Sequence, residues 1–214
     1  MNETSTKLKI CGITSLADAR YCAGAGVDYL GFIQYESSPR YIEPSQAKEI
    51  IGWLYGPEPV GVFVNESATS INHAVAEVGF THAQIHGDYE PEFFNDIKAK
   101  TIKAVSIHPH TTPEDLQVHF SRYADSVDYF LLDTAKAGLW GGTGTAFNWE
   151  IAKEIVQHYP TFIAGGIDAS NILQVIEALH PYAVDLASGV EESPGVKDFD
   201  KLADLFDAFQ SLNT

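Results

Sequence analysis

The sequence predicts an α/β fold, a single-domain (β/α)8 TIM barrel, and three observations carry that expectation. Eight short β-branched or apolar runs recur along the chain, each followed by helical periodicity. At about 25 residues per unit, eight such units fill a chain of 214 residues. Each return to a new strand passes through a helix, which pairs the strands in parallel. A doubly wound open sheet is the alternative, but eight equal units favour closure, because a ring has no edge strand. The domain spans residues 1–214, with its core over about 7–211 and no linker or low-complexity segment.

The elements follow in order. The first strand is Lys7–Cys11, and Ser15 with Asp18 then reads as a capping box. The second is Asp28–Phe32; Pro44 opens a helix whose Ala47, Ile50, Ile51 and Leu54 keep the i, i+3, i+4, i+7 spacing. Val60–Val64 is third, followed by Ile71, Ala74, Val75 and Val78 at the same spacing. Thr81–Ile85 and Ile102–Ile107 are fourth and fifth, and Thr112-Pro113 with Asp115 marks the next helix start. Asp128–Leu132 is sixth. Thr161–Ala164 is seventh, with Asp168 expected to cap the helix after Gly165-Gly166. Val184–Ala187 is eighth; Leu202, Leu205, Phe206 and Phe209 define the last helix, and the tail "QSLNT" is expected to fray.

One connection is long. Thr134 to Phe147, "TAKAGLWGGTGTAF", carries four glycines and is expected to close over a substrate.

Composition narrows the function. A net charge of −16 and a pI near 4.7, without a Lys/Arg block, exclude nucleic acid as the main partner. A small anion remains compatible, held by few cations and many backbone N–H groups. No apolar run is long enough for a membrane span, and "MNETSTKLKI" is no secretory signal. Cys11 and Cys22 lack a nearby His pair, which argues against zinc. A disulfide is not excluded, but the context reads as reduced and cytoplasmic. Cys11 is thereby left as core residue or base.

In a barrel, reactive groups sit at the carboxyl ends of the strands. Those ends hold Cys11, Asn65, Gln84, His86 and Asp133, with Arg40 in the second loop. Gly165 and Gly166 end strand seven, Ser188 and Gly189 strand eight, where glycine and helix N-termini grip phosphate. Arg40, behind Pro39, suits a carboxylate; a solvated arginine is the plainer reading. His86 reads equally as substrate contact or structural hydrogen-bonder. Asp133 reads as a proton carrier or as a partner within its own loop, and Cys11 alone reads more readily as core. Together they read as acid and base, on strands one and six facing each other across the ring.

"KICGIT", "GFIQYESSPRY", "VGVFVN", "QIHGD", "LLDT…GGTGTAFNW", "AGGI…N" and "DLASGVEESPGVKD" together resemble the phosphoribosylanthranilate isomerases of tryptophan biosynthesis, from about Lys9 to Phe209. The resemblance implies a barrel without metal or cofactor that performs an Amadori rearrangement. Under it, Cys11 is the general base, Asp133 the general acid, and Arg40 the ligand of the anthranilate carboxylate. Gly165, Gly166, Ser188 and Gly189 fall on its phosphate positions. Three departures stand out: Gln34 replaces an apolar residue, "AQIHGDY" replaces a "VQLHGDE"-like run, and Ala187 replaces a serine. The substrate implied is a small phosphosugar; a homo-oligomer or association with neighbouring pathway enzymes is compatible. The alternatives are the related aminoaldose-phosphate isomerase of histidine biosynthesis, which pairs two aspartates, and a non-catalytic phosphosugar-binding barrel.

Overall fold

The computed structural model describes residues 6–108, 110–134 and 150–213. Eight parallel strands close into a barrel in sequence order, with β1 (Lys7–Cys11) hydrogen-bonded to both β2 (Tyr29–Ile33) and β8 (Ala183–Leu186). Between them run β3 (Glu58–Val64), β4 (His82–His86), β5 (Lys100–Ile107), β6 (Tyr129–Thr134) and β7 (Thr161–Ala164). The helices are α1 (Leu16–Gly24), α2 (Pro44–Gly52), α3 (Ala68–Ala74), α4 (Pro91–Phe94), α5 (Pro113–Tyr123), α6 (Glu150–His158), α7 (Ile172–Leu179) and α8 (Phe199–Gln210). Among the described residues no helix is long and apolar enough to cross a membrane.

Alternation along each strand makes two cores. Outward residues such as Ile10, Phe32, Ile85 and Phe130 pack under the helices. Inward ones, Tyr29, Val60, Ile102, Leu131, Phe162 and Ala183, fill the ring. Rings crowd the amino ends of the strands: the Tyr29 and Tyr182 hydroxyls lie 2.7 Å apart, and His82 meets Tyr29 edge-on at 5.3 Å. That plug closes one pole and leaves the carboxyl pole for a site.

Four expectations about element ends need correction. Thr112 and Asp115 form the reciprocal box, whereas at Ser15 the bond shown is the forward one, Asp18 N–H donating to Ser15 Oγ. Asp168 does not cap α7; its Oδ1 accepts from the Ser170 N–H at 2.8 Å, an Asx turn that delays the helix to Ile172. The face Ile71–Val78 is not one α-helix, since Val75–Gly79 is a π-turn ending at Gly79. The tail does not simply fray: α8 runs through Gln210 and Ser211–Asn213 forms a 3-10 turn. The segment Thr134–Phe147, expected to close over substrate, lies outside the described residues beyond Thr134.

Candidate active site

The end of β1 is built around a sulfur. Cys11 is 5% exposed and pairs in register with Gly31 of β2. A Cβ at Gly31 would lie 2.6 Å from Cys11 Sγ, so only glycine leaves the thiol its place. Cys22, on α1, is buried, unbridged and far from reactive: burial pushes its thiol up to about 12.

Two residues before Cys11, and so on the same face, Lys9 is fully buried. Its register partner on β8 is Asp185, and Nζ donates to Oδ2 at 2.7 Å. Burial alone would pull the Lys9 ammonium down, but Asp185 and the Cys11 sulfur outweigh it and hold it above the ordinary lysine range. Asp185 Oδ1 is buried without a hydrogen-bond partner among the described residues. Burial pushes the Cys11 thiol up, while Lys9 and Lys197 pull against it. Burial likewise raises Asp133, on β6, to about 6, with Asp185 adding to the shift and Lys9 opposing it. Cys11 and Asp133 thus share one ion pair as neighbour. The ring corrects one detail: β6 does not face β1 directly but lies three steps away, through β8 and β7.

A second network stands over the sulfur. Past β8, a short 3-10 turn (Ser188–Val190) leads into a ribbon of β9 (Glu191–Ser193) and β10 (Val196–Lys197). Lys197 Nζ donates to the Cys11 carbonyl at 2.6 Å and to Glu191 Oε1 at 3.1 Å. Arg40 grips Glu191 with Nε, at 2.9 Å and 3.0 Å to the two oxygens, and with Nη2 at 2.6 Å. Burial would raise Glu191, but Arg40 and Lys197 hold its carboxyl below the ordinary range. The guanidinium fork of Arg40 is therefore occupied within the protein, and Nη1 is its remaining edge without a partner among the described residues. Gln34, where the resembled family has an apolar residue, donates from Nε2 to the Ile42 carbonyl at 3.0 Å and ties down the Arg40 loop.

On β4, Gln84 Nε2 donates to His86 Nε2 at 2.8 Å, which leaves the histidine proton on Nδ1. Burial and the nearby Lys9 and Lys103 charges lower His86 to about 4, so it is neutral. Gln84 Oε1 is buried without a partner among the described residues. His86 also borders a cavity of about 370 Å³ with Lys103, Ser106 and His119. The Asn65 N–H donates to the His86 carbonyl at 3.0 Å, a backbone role.

Gly165 and Gly166, after β7, take positive φ of 90° and 68°. Asn171 Nδ2 pins the Gly166 carbonyl at 2.8 Å. Gly189 lies against this turn so closely that a Cβ there would stand 2.0 Å from the Ile167 carbonyl oxygen. Ser188 beside it is exposed. The structure thus brings the four phosphate candidates into two touching loops.

Sequence reading missed Lys9, Asp185, Glu191 and Lys197. A signal existed for the first two: each is a charge between apolar neighbours, Leu8 and Ile10, or Val184 and Leu186, in a strand buried on both faces.

Comparison with known proteins adds an independent line. Residues 8–208 match the family model described as N-(5'phosphoribosyl)anthranilate (PRA) isomerase. A relative named N-(5'-phosphoribosyl)anthranilate isomerase, from Gloeothece citriformis, is 40% identical over 206 residues, covering 94% of this chain and 92% of its own. The crystal structure of phosphoribosyl anthranilate isomerase from Thermotoga maritima superposes with a TM-score of 0.86 at 32% identity, covering 96% of this chain and 99% of its own. Another such structure is in complex with reduced 1-(o-carboxyphenylamino)-1-deoxyribulose 5-phosphate; it has a TM-score of 0.84 at 31% identity and the same coverage, 96% and 99%. With its closed ring, this chain belongs to the N-(5'-phosphoribosyl)anthranilate isomerase family.

Proposed function

We propose that this tryptophan-pathway isomerase uses Asp133 as general acid and Cys11 as general base in the Amadori rearrangement of N-(5'-phosphoribosyl)anthranilate. Asp133 protonates the furanose ring oxygen, and the C1–O bond breaks to give an iminium. The Cys11 thiolate takes the C2 proton, and the electron pair left behind neutralises the iminium as an enolamine. Tautomerisation of the enolamine yields 1-(2-carboxyphenylamino)-1-deoxyribulose 5-phosphate. The two loops holding Gly165, Gly166, Ser188 and Gly189 bind the phosphate through backbone N–H groups. Arg40, through Nη1, meets the anthranilate carboxylate, and Gln84 and His86 line the wall beside it. The single observation that carries this reading is the shared ion pair: Cys11 and Asp133 both feel Lys9 and Asp185. The printed ligand of a solved relative supports the substrate class. A free Cys11 thiol also fits a reducing compartment, and we place the reaction in the cytoplasm.

The acid has the lower pKa of the two, so the reactive form, thiolate with protonated carboxyl, is a minority species at every pH. Its population rises with pH about tenfold per unit, levels off once Asp133 begins to lose its proton, and falls only when the thiol is fully ionised. The break near pH 6 then belongs to the acid, Asp133, and not to the base. The test is the loss of substrate fluorescence, followed across pH for wild type and Asp133→Asn. Near-normal turnover by Asp133→Asn would end this assignment.

A further inference from the structure

We propose that the Lys9–Asp185 pair is an oriented buried dipole, ammonium beside Cys11 and carboxylate toward Asp133, that biases the proton toward the acid and away from the base before substrate arrives. The proposal rests on the acid and base assignment above and gives Lys9 and Asp185 positioning roles within it.

The topology sets the orientation. Lys9 shares β1 with Cys11, two residues before it and on the same face. Asp185 sits on β8, one strand nearer to β6 around the ring. The pair therefore points its positive end at the sulfur's strand and its negative end along the path to Asp133. The 2.7 Å contact fixes that direction, because both partners project from fully paired strands and are buried. A charge pair in a low-dielectric core acts strongly on groups a few ångströms away.

The electrostatic neighbours agree. At Cys11 the Lys9 charge outweighs that of Asp185. At Asp133 the order reverses, with Asp185 ahead of Lys9. One pair thus favours the thiolate at one end and the neutral carboxyl at the other. Other charges face the same space. Lys197 from β10 pulls the thiol in the same sense as Lys9, and Arg40 couples to Cys11 while paired to Glu191. His86 from β4 is neutral.

The test removes the dipole without stranding a charge. Lys9→Met/Asp185→Asn is made in a Cys22→Ser background, so that Cys11 is the single thiol. Its ionisation is followed by ultraviolet thiolate absorbance against a Cys11→Ala reference, which needs no substrate. The Cys11 midpoint is expected to rise by at least about one pH unit, a tenfold loss of thiolate at neutral pH. The low-pH break in kcat/KM is expected to move below its wild-type place, and kcat to fall about a hundredfold while KM changes little. Asp185→Asn alone, which keeps the Lys9 charge, should lower both the thiol midpoint and the break. Lys9→Arg should restore the thiol titration toward wild type. An unmoved thiol midpoint in the double variant, or an upward shift of either quantity in Asp185→Asn, overturns the proposal. If the double variant fails to fold, the sign of the Asp185→Asn shifts decides alone. Failure of the acid and base reading shows separately, as retained activity in Cys11→Ala or Asp133→Asn, because the thiol titration does not depend on turnover.

Discussion

At the scale of single residues, the proposed chemistry depends on where two protons are kept. Cys11→Ser replaces the proposed base with a hydroxyl too weakly acidic for that role, and Asp133→Asn removes the proposed proton donor. Each is expected to lower kcat by about 10²- to 10⁴-fold with a smaller change in KM, read by steady-state fluorescence kinetics. Gly31→Ala tests geometry instead of chemistry. Its Cβ would lie 2.6 Å from the sulfur, so kcat should drop while the folded state, checked by circular dichroism, persists. The strand-end positions of Cys11 and Asp133 were legible in the sequence because each follows an apolar run, and the carboxyl ends of strands are where a barrel carries its site. Lys9 and Asp185 were not recognised, because a charge in a β-run reads as solvent-facing until the ring shows that both faces are covered.

At the scale of elements, the ribbon β9–β10 matters most. It lies after the last barrel strand and carries Glu191 and Lys197 back over the mouth of β1. Glu191→Gln keeps the size of the side chain but removes the charge that orients Arg40. Its KM for substrate is expected to rise by about tenfold, the worth of one charge-assisted hydrogen bond, with kcat less affected. Substrate saturation curves for the variant and for Arg40→Lys, side by side, check this. No sign of the ribbon is legible in the sequence, since "EESPGVK" reads as a turn and its partners lie 151 residues away at Arg40 and 186 away at Cys11. Helix α8 is a simpler case. Asp198 accepts from the Asp200 and Lys201 N–H groups, and Asp198→Ala should cost about 1 kcal/mol in a urea titration.

At the scale of the whole molecule, the two poles of the barrel divide the work. The amino pole is a plug of rings, and Phe162, fully buried, touches Tyr29, Tyr129 and Tyr182. Phe162→Ala should cost about 3–5 kcal/mol, measured by denaturant unfolding, because the closed ring cannot collapse around the gap. The same architecture makes the protein acid-sensitive. Burial holds His82, His86 and His119 below the ordinary histidine value, His86 at about 4. The unfolded chain therefore binds more protons than the folded one once the pH drops below the ordinary value of about 6.5. Asp133 works the other way, since its folded value of about 6 lies above that of a free carboxylate. One carboxyl offsets one imidazole of similar shift, and two remain. The urea midpoint is expected to be level between about pH 7 and 8 and to fall as the pH drops toward about 4. A midpoint that rose over that interval would contradict the neutral burial of these side chains.

The sequence by itself determined the alternation, the number of units and the residues that end the strands. These are local properties: side-chain period, turn chemistry and helix caps act over a few residues and leave a direct trace in the order of amino acids. Only the tertiary structure decided which charges meet. Lys9 and Asp185 are 176 residues apart in sequence and 2.7 Å apart in space, and that contact exists because closing the ring hydrogen-bonds the first strand to the last. An ion pair of that separation has no period, no motif and no spacing; its energy comes from exclusion of water at a point that does not exist until the barrel is shut.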